Sequence, residues 1–89
     1  MSRVQESILD IIESIKLILH YVEGVNQESL AVNYEKQDAI LRRITIIGEA
    51  TKRLSPEFRQ KHSDIPWKKI AGMRDVMGGL LRPKLILQN

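Results

Sequence analysis

Residues 34–54, YEKQDAILRRITIIGEATKRL, decide the fold class. Ile40, Ile44, Ile47, Thr51 and Leu54 recur at steps of three and four, the spacing of one face of an α-helix. At about 100° per residue, Arg42, Glu49 and Arg53 project from the opposite side. Glu49 and Arg53 stand one turn apart, placed to form an ion pair along the helix. Ala39, Ile46 and Ala50 make a separate apolar stripe flanking the polar side. A helix with two apolar stripes needs two neighbours, and 89 residues offer few helices. A partner subunit is therefore a candidate cover for the second stripe.

Upstream, a first helix is predicted from Arg3 to Glu23. Val4, Ile8, Ile11, Ile15, Leu19 and Val22 form its stripe, while Glu6, Asp10 and Glu13 fall away from it. Gly24 follows and can take the left-handed conformation that ends helices. Val25 to Asn33 reads as a connector with a helical turn at Glu28–Val32. Downstream, Ser55-Pro56-Glu57 is a restart signal, with a capping Ser, Pro at the first helical position and an acid in the first turn. A short helix through Lys61, a turn at His62-Ser63-Asp64 and a helix from Pro66 through Val76 follow, the last packed by Trp67 and Ile70. Gly78-Gly79 is expected to break it. Leu80 to Asn89 has no clear period, and Pro83 disfavours a helix through it.

Composition agrees with an all-α chain. Apolar residues make up 43% and aromatics only 4%, so Ile and Leu do most of the burying, as packed helices require. A single domain this short draws only a few kcal/mol from its core, which makes oligomerisation an expectation. There is no cysteine, which excludes a disulfide scaffold and a thiolate metal site and fits a reducing compartment. No run of 18 apolar residues is present, and the acid-bearing start is no secretory signal, so the cytoplasm is the expected location. The net charge of +3 permits contact with RNA without arguing for it, because dedicated binders cluster their positive charge.

Few residues are candidates for chemistry. Gly78-Gly79 lacks the Lys-Ser/Thr of a phosphate loop. His20 and His62, the only two histidines, lack metal spacing and the partners that an acid–base pair requires, and read as ordinary exposed side chains. No cofactor motif is present. Arg74, beside Asp75 and read as lying near the end of the last helix, is the exception. A cation there suits the helix dipole, and its rigid fork of donors suits a phosphate.

Two elements carry a resemblance. One is Ile46-Ile47-Gly48-Glu49-Ala50 followed by Lys52-Arg53-Leu54-Ser55-Pro56. The other is Ile65-Pro66-Trp67-Lys68-Lys69-Ile70-Ala71-Gly72-Met73-Arg74-Asp75. In order, spacing and content the chain from Val4 to Val76 resembles the HepT-like branch of the HEPN ribonuclease toxins. The resemblance implies a small antiparallel helical bundle over residues 1–77, dimerising around an active cleft, with residues 78–89 as a divergent tail. It implies an Arg followed after four to six residues by His, with a Tyr two residues further on, and cleavage of RNA without a metal. Attack by the 2′-hydroxyl would be served by His as proton carrier and Arg as charge stabiliser. The implied partner is a minimal nucleotidyltransferase antitoxin that transfers AMP to that Tyr; no membrane or DNA partner is implied.

Arg74 matches the signature Arg and Asp75 the polar residue that often follows it. The pattern then departs: Gly79, Leu80 and Leu81 fill the histidine window, neither His nor Tyr follows Trp67, and the closing helix is expected to be missing or remodelled. Loss of a proton-transfer group costs about 10²–10⁴ in rate. The expectation is a ribonuclease toxin subunit impaired in this copy. A frameshift is one origin for the change, since Gly79-Leu80-Leu81-Arg82 can be encoded so that a one-base shift reads Gly-Tyr-Phe-Gly. The alternatives are a non-catalytic helical dimerisation module that binds the nucleotidyltransferase, or a dimerisation domain unrelated to toxins. Leu80, Leu81, Leu85, Ile86 and Leu87 are expected to cover part of the apolar surface left on the first two long helices.

Overall fold

A computed structural model of the chain describes residues 2–81. Among these residues there are six helices and no strand: α1 (Arg3–Val22), α2 (Gln27–Val32), α3 (Tyr34–Arg53), α4 (Pro56–Lys61), α5 (Trp67–Ala71) and α6 (Met73–Leu81). Side chains write most of the boundaries. Ser2 and Gln5 close a reciprocal capping box on α1, and Asn26, Asn33 and Ser55 each accept from a first-turn N–H of the helix that follows. Such caps satisfy donors a helix start otherwise leaves orphaned. Gly24 has φ 68°, the left-handed geometry that lets the chain leave α1. The expected turn before α3 extends to the six-residue α2.

The long α3 is the hub, packed by α1, α2, α5 and α6. Ile40, Leu41, Ile44, Ile47, Ala50 and its cap Leu54 are the buried apolar residues among those described. The stripe read from the sequence is thus the core. Gln37 and Thr51 are fully buried on the same helix and both are satisfied. Gln37 Nε2 donates to the carbonyls of Leu30 and Ala31 at 2.9 and 3.0 Å, tying the end of α2 to α3. Thr51 Oγ1 donates to Ile47 O at 2.8 Å. Of the second stripe, Ala50 has no exposure while Ala39 and Ile46 are half-buried, and α1 is fastened along that side.

The fastening corrects one expectation. Arg53 pairs not with Glu49 but with Asp10 of α1, at 2.7 Å, and its Nε donates to Ser7 Oγ at 3.3 Å. The start of α1 therefore lies against the end of α3, and the two helices run antiparallel.

A second correction concerns the face that α1 buries. Ser7 and Ser14 are its buried residues, whereas Val4, Ile12, Ile15, Leu19 and Val22 remain 36–62% exposed. On the helical wheel the apolar stripe is turned roughly 100° from the serine line. Of the predicted stripe, Val4, Ile15, Leu19 and Val22 are left exposed, while Ile8 and Ile11 are half-buried.

The third correction lies in the last segment. The helix predicted from Pro66 through Val76 is divided at Gly72, which caps α5 by donating to Lys68 O. The expected break at Gly78-Gly79 does not occur, since α6 runs through both to Leu81. Each interior glycine costs a helix about 1 kcal/mol relative to alanine, a penalty that packing of α6 on α3 outweighs. The proposed covering role of Leu85, Ile86 and Leu87 falls outside the described residues.

Candidate functional site

The site is built on the contact between α3 and the α5–α6 corner. Gly48 is buried, and a Cβ placed there would lie 3.4 Å from Ala71 O. Absence of a side chain at this point brings the end of α5 onto α3. Trp67 anchors the other end of α5: its Nε1 donates to the carbonyls of Arg59 and His62 at 3.1 and 3.0 Å, and Phe58 lies beside its ring at 6.3 Å. With α5 so held, the turn at Gly72 delivers Arg74 one helical turn down α3.

There Arg74 Nε donates to Thr45 Oγ1 at 3.0 Å. The same hydroxyl donates its single hydrogen to Leu41 O at 2.8 Å. Thr45 is thereby fixed as an acceptor toward the guanidinium. Contacts Gly48–Ala71 and Thr45–Arg74 show the chain through the α5–α6 corner running back along α3.

Arg74 does not lie near a helix C-terminus, as the uninterrupted helix suggested. It is the second residue of α6, where the dipole disfavours a cation by some tenths of a kcal/mol. The Thr45 bond offsets that cost and leaves four of the five guanidinium N–H donors without a partner among the described residues. Asp75 is exposed in the same first turn, where its charge suits the dipole. By helical spacing, Arg42 and Glu49 share the exposed α3 surface flanking Thr45. The surface is therefore mixed in charge, with an oriented cation at its centre.

Neither histidine joins this arrangement by a hydrogen bond or ring contact. His20 is exposed beside Tyr21 near the end of α1, and the His62 ring lies 4.6 Å from Phe58. No group of three metal-ligating side chains occurs among the described residues, and no helix among them is long and apolar enough to cross a membrane. Thr45 is the site residue that sequence reading missed. A threonine on the half-polar side of a helix gives no signal until its partner is placed 29 positions away.

Residues 11–77 match the family model described as ribonuclease HepT-like. The chain belongs to the ribonuclease HepT-like family. Its relatives include the "Gamma-glutamylcyclotransferase and putative RNase MJ0434" of Methanocaldococcus jannaschii, 48% identical over 75% of this chain and 30% of that protein. The "Putative RNase TTE0752" of Caldanaerobacter subterraneus is 43% identical over 73% of this chain and 58% of its own length. The "Probable ribonuclease HepT" of Thermococcus cleftensis is 38% identical over 74% and 60%. The chain thus spans between 30% and 60% of the length of these curated relatives. No solved structure matches it. The fold is the small all-α bundle expected of a HepT-like, HEPN-type chain, and Arg74 and Thr45 both fall inside the matched segment.

Proposed function

We propose that this chain is the RNA-cleaving toxin subunit of a HepT-like toxin–antitoxin pair, crippled in cleavage as its sequence stands. The observation that carries the reading is Arg74: a guanidinium held by Thr45 at 3.0 Å, its remaining donors outward, on a scaffold shared with proteins named as RNases. A phosphodiester is the ligand such a fork fits best. Arg74 would stabilise charge on the phosphorus as the 2′-hydroxyl attacks, and Asp75 would flank it. A proton carrier is the missing half. Gly78, Gly79, Leu80 and Leu81 offer none, and neither His20 nor His62 bonds to Arg74.

The active form is a homodimer in the cytoplasm, and the outward face of α1 is where the second copy docks. Val4, Ile12, Ile15, Leu19 and Val22 run the length of a 20-residue helix, about 30 Å, with Glu6 and Glu13 turned away and Lys16 at the stripe's edge, one turn from Ile12 and Leu19. An uncharged stripe of that length can meet its own copy across a two-fold axis without burying an unpaired charge. The antitoxin partner is a minimal nucleotidyltransferase.

Incubation of the purified chain with structured and single-stranded RNA, beside Arg74→Ala, tests the reading. Retained RNA binding that Arg74→Ala weakens, with little or no cleavage, is the expected result. Robust cleavage abolished by Arg74→Ala would restore a full enzyme and refute the impairment. A second reading, a non-catalytic module that dimerises and binds the nucleotidyltransferase, is favoured by the absence of an imidazole beside Arg74. It predicts co-purification with that partner and no RNA binding at all.

A further inference from the structure

The hydroxyl of Thr45 occupies a position that dictates more than the place of Arg74. A guanidinium can grip two oxygens by either of two edges: side-on through Nε and one Nη, or end-on through the two Nη groups. Thr45 Oγ1 takes the Nε hydrogen at 3.0 Å, which removes the side-on edge and leaves the end-on edge. The hydroxyl cannot turn round to donate, because its hydrogen is committed to Leu41 O at 2.8 Å within α3. The orienting group is anchored to the backbone of the helix that carries most of the core.

We propose that Thr45 is a positioning residue that presents the Nη1/Nη2 edge of Arg74, end-on, to two non-bridging oxygens of one RNA phosphate. The inference rests on the reading of Arg74 as a phosphate-binding residue and adds how the phosphate is held. A preorganised fork loses less freedom on binding than one swinging on a flexible stem. Thr45 touches no substrate and acts only through Arg74.

The test uses the full chain with Thr45→Val, which keeps the β-branched shape without the hydroxyl, and Thr45→Ser, which keeps the hydroxyl. One readout is the Arg74 Nε–H resonance in proton–nitrogen NMR, whose exchange with water a held hydrogen slows. The other is affinity for a short 2′-O-methyl RNA, which cannot be cleaved, measured by fluorescence anisotropy. Slow Nε–H exchange is expected in the parent and in Thr45→Ser and fast exchange in Thr45→Val. RNA affinity should fall about two- to tenfold in Thr45→Val, the worth of one hydrogen bond, and recover in Thr45→Ser. Equal exchange in parent and Thr45→Val overturns the positioning role, as does an affinity lost equally in Val and Ser. If the parent binds no RNA, or Arg74→Ala binds as well as the parent, the functional reading falls. The Nε–H signal then still decides whether Thr45 holds Arg74.

Discussion

Replacing Leu19 by alanine should break self-association without unfolding the protein. Leu19 is 62% exposed on the outward stripe of α1. Full burial of a leucine is worth about 1.5–3 kcal/mol, so covering what is now exposed contributes roughly 1–2 kcal/mol per copy. A two-fold interface uses the residue twice, which puts the loss near 2–4 kcal/mol per dimer and weakens association about 30- to 1,000-fold. Within one chain the same change costs little, because alanine is the better helix former and the site is open to solvent. Sedimentation equilibrium over a wide concentration range reads the dissociation constant, and far-UV circular dichroism checks the helices. Leu19→Glu, which puts a charge at the same place, should leave only monomer. An unchanged dissociation constant in Leu19→Ala, with Ile15→Ala equally silent, would show that α1 does not form the interface.

Gln37→Leu keeps side-chain bulk but strips two carbonyls of their donor, so a loss of about 1–3 kcal/mol and roughly 5–20 °C in Tm is expected by calorimetry. Gly48→Ala should be neutral or stabilising by up to about 1 kcal/mol, since its Cβ meets Ala71 O at 3.4 Å, an ordinary contact, while helix propensity improves. Gly48→Leu should instead push α5 away and lower Tm. Asp10→Asn removes an ion pair whose partners are 42% and 46% exposed. Urea unfolding should register less than about 1 kcal/mol, and a larger loss would mean that Arg53 organises more of the α1–α3 contact than its exposure implies. Leu81→His, which adds an imidazole on the Arg74 face of α6, should raise RNA cleavage about tenfold or more over the parent, with Gly79→His as the misdirected control; equal cleavage by the two variants would show that the face does not matter.

Period alone exposed the core of α3 because its strongest apolar stripe is also its buried one. For α1 the same rule pointed to the wrong side. Apolar period reports where a helix is greasy, and on α1 Val4, Ile15, Leu19 and Val22 stay exposed while Ile8 and Ile11 are half-buried and Ser7 and Ser14 are the buried residues. Two small hydroxyls carry little hydrophobic signal, yet small size is what lets the backbones come close. The Glu49–Arg53 pair was a local reading of a residue whose partner, Asp10, lies 43 positions earlier. Glycine misled in a similar way: Gly78-Gly79 looked like the stop and Gly72 is the corner, because the intrinsic cost of a glycine is small beside the packing of α6 on α3. Arg74 and Asp75 stood out by residue type and motif, whereas Thr45 acquired its role only when α6 was folded against α3.

Continuity of α6 also sharpens what is missing beside Arg74. From sequence, the proton carrier has three places to stand, at 79, 80 or 81. On a helix those places are not equivalent. Steps of five and six residues rotate the side chain by about 140° and 240° from Arg74, while a step of seven returns within about 20°, two turns and some 10 Å further on. Only Leu81 shares the face on which Thr45 holds the guanidinium. A leucine there suits a half-buried position against α3, and it adds nothing that takes or gives a proton. If Arg74 binds phosphate as proposed, recognition and proton transfer would be separable in this fold, one set by Thr45 on α3 and the other by a single side chain of α6. On the proposed reading, a chain that keeps the first and lacks the second would hold RNA without cutting it quickly.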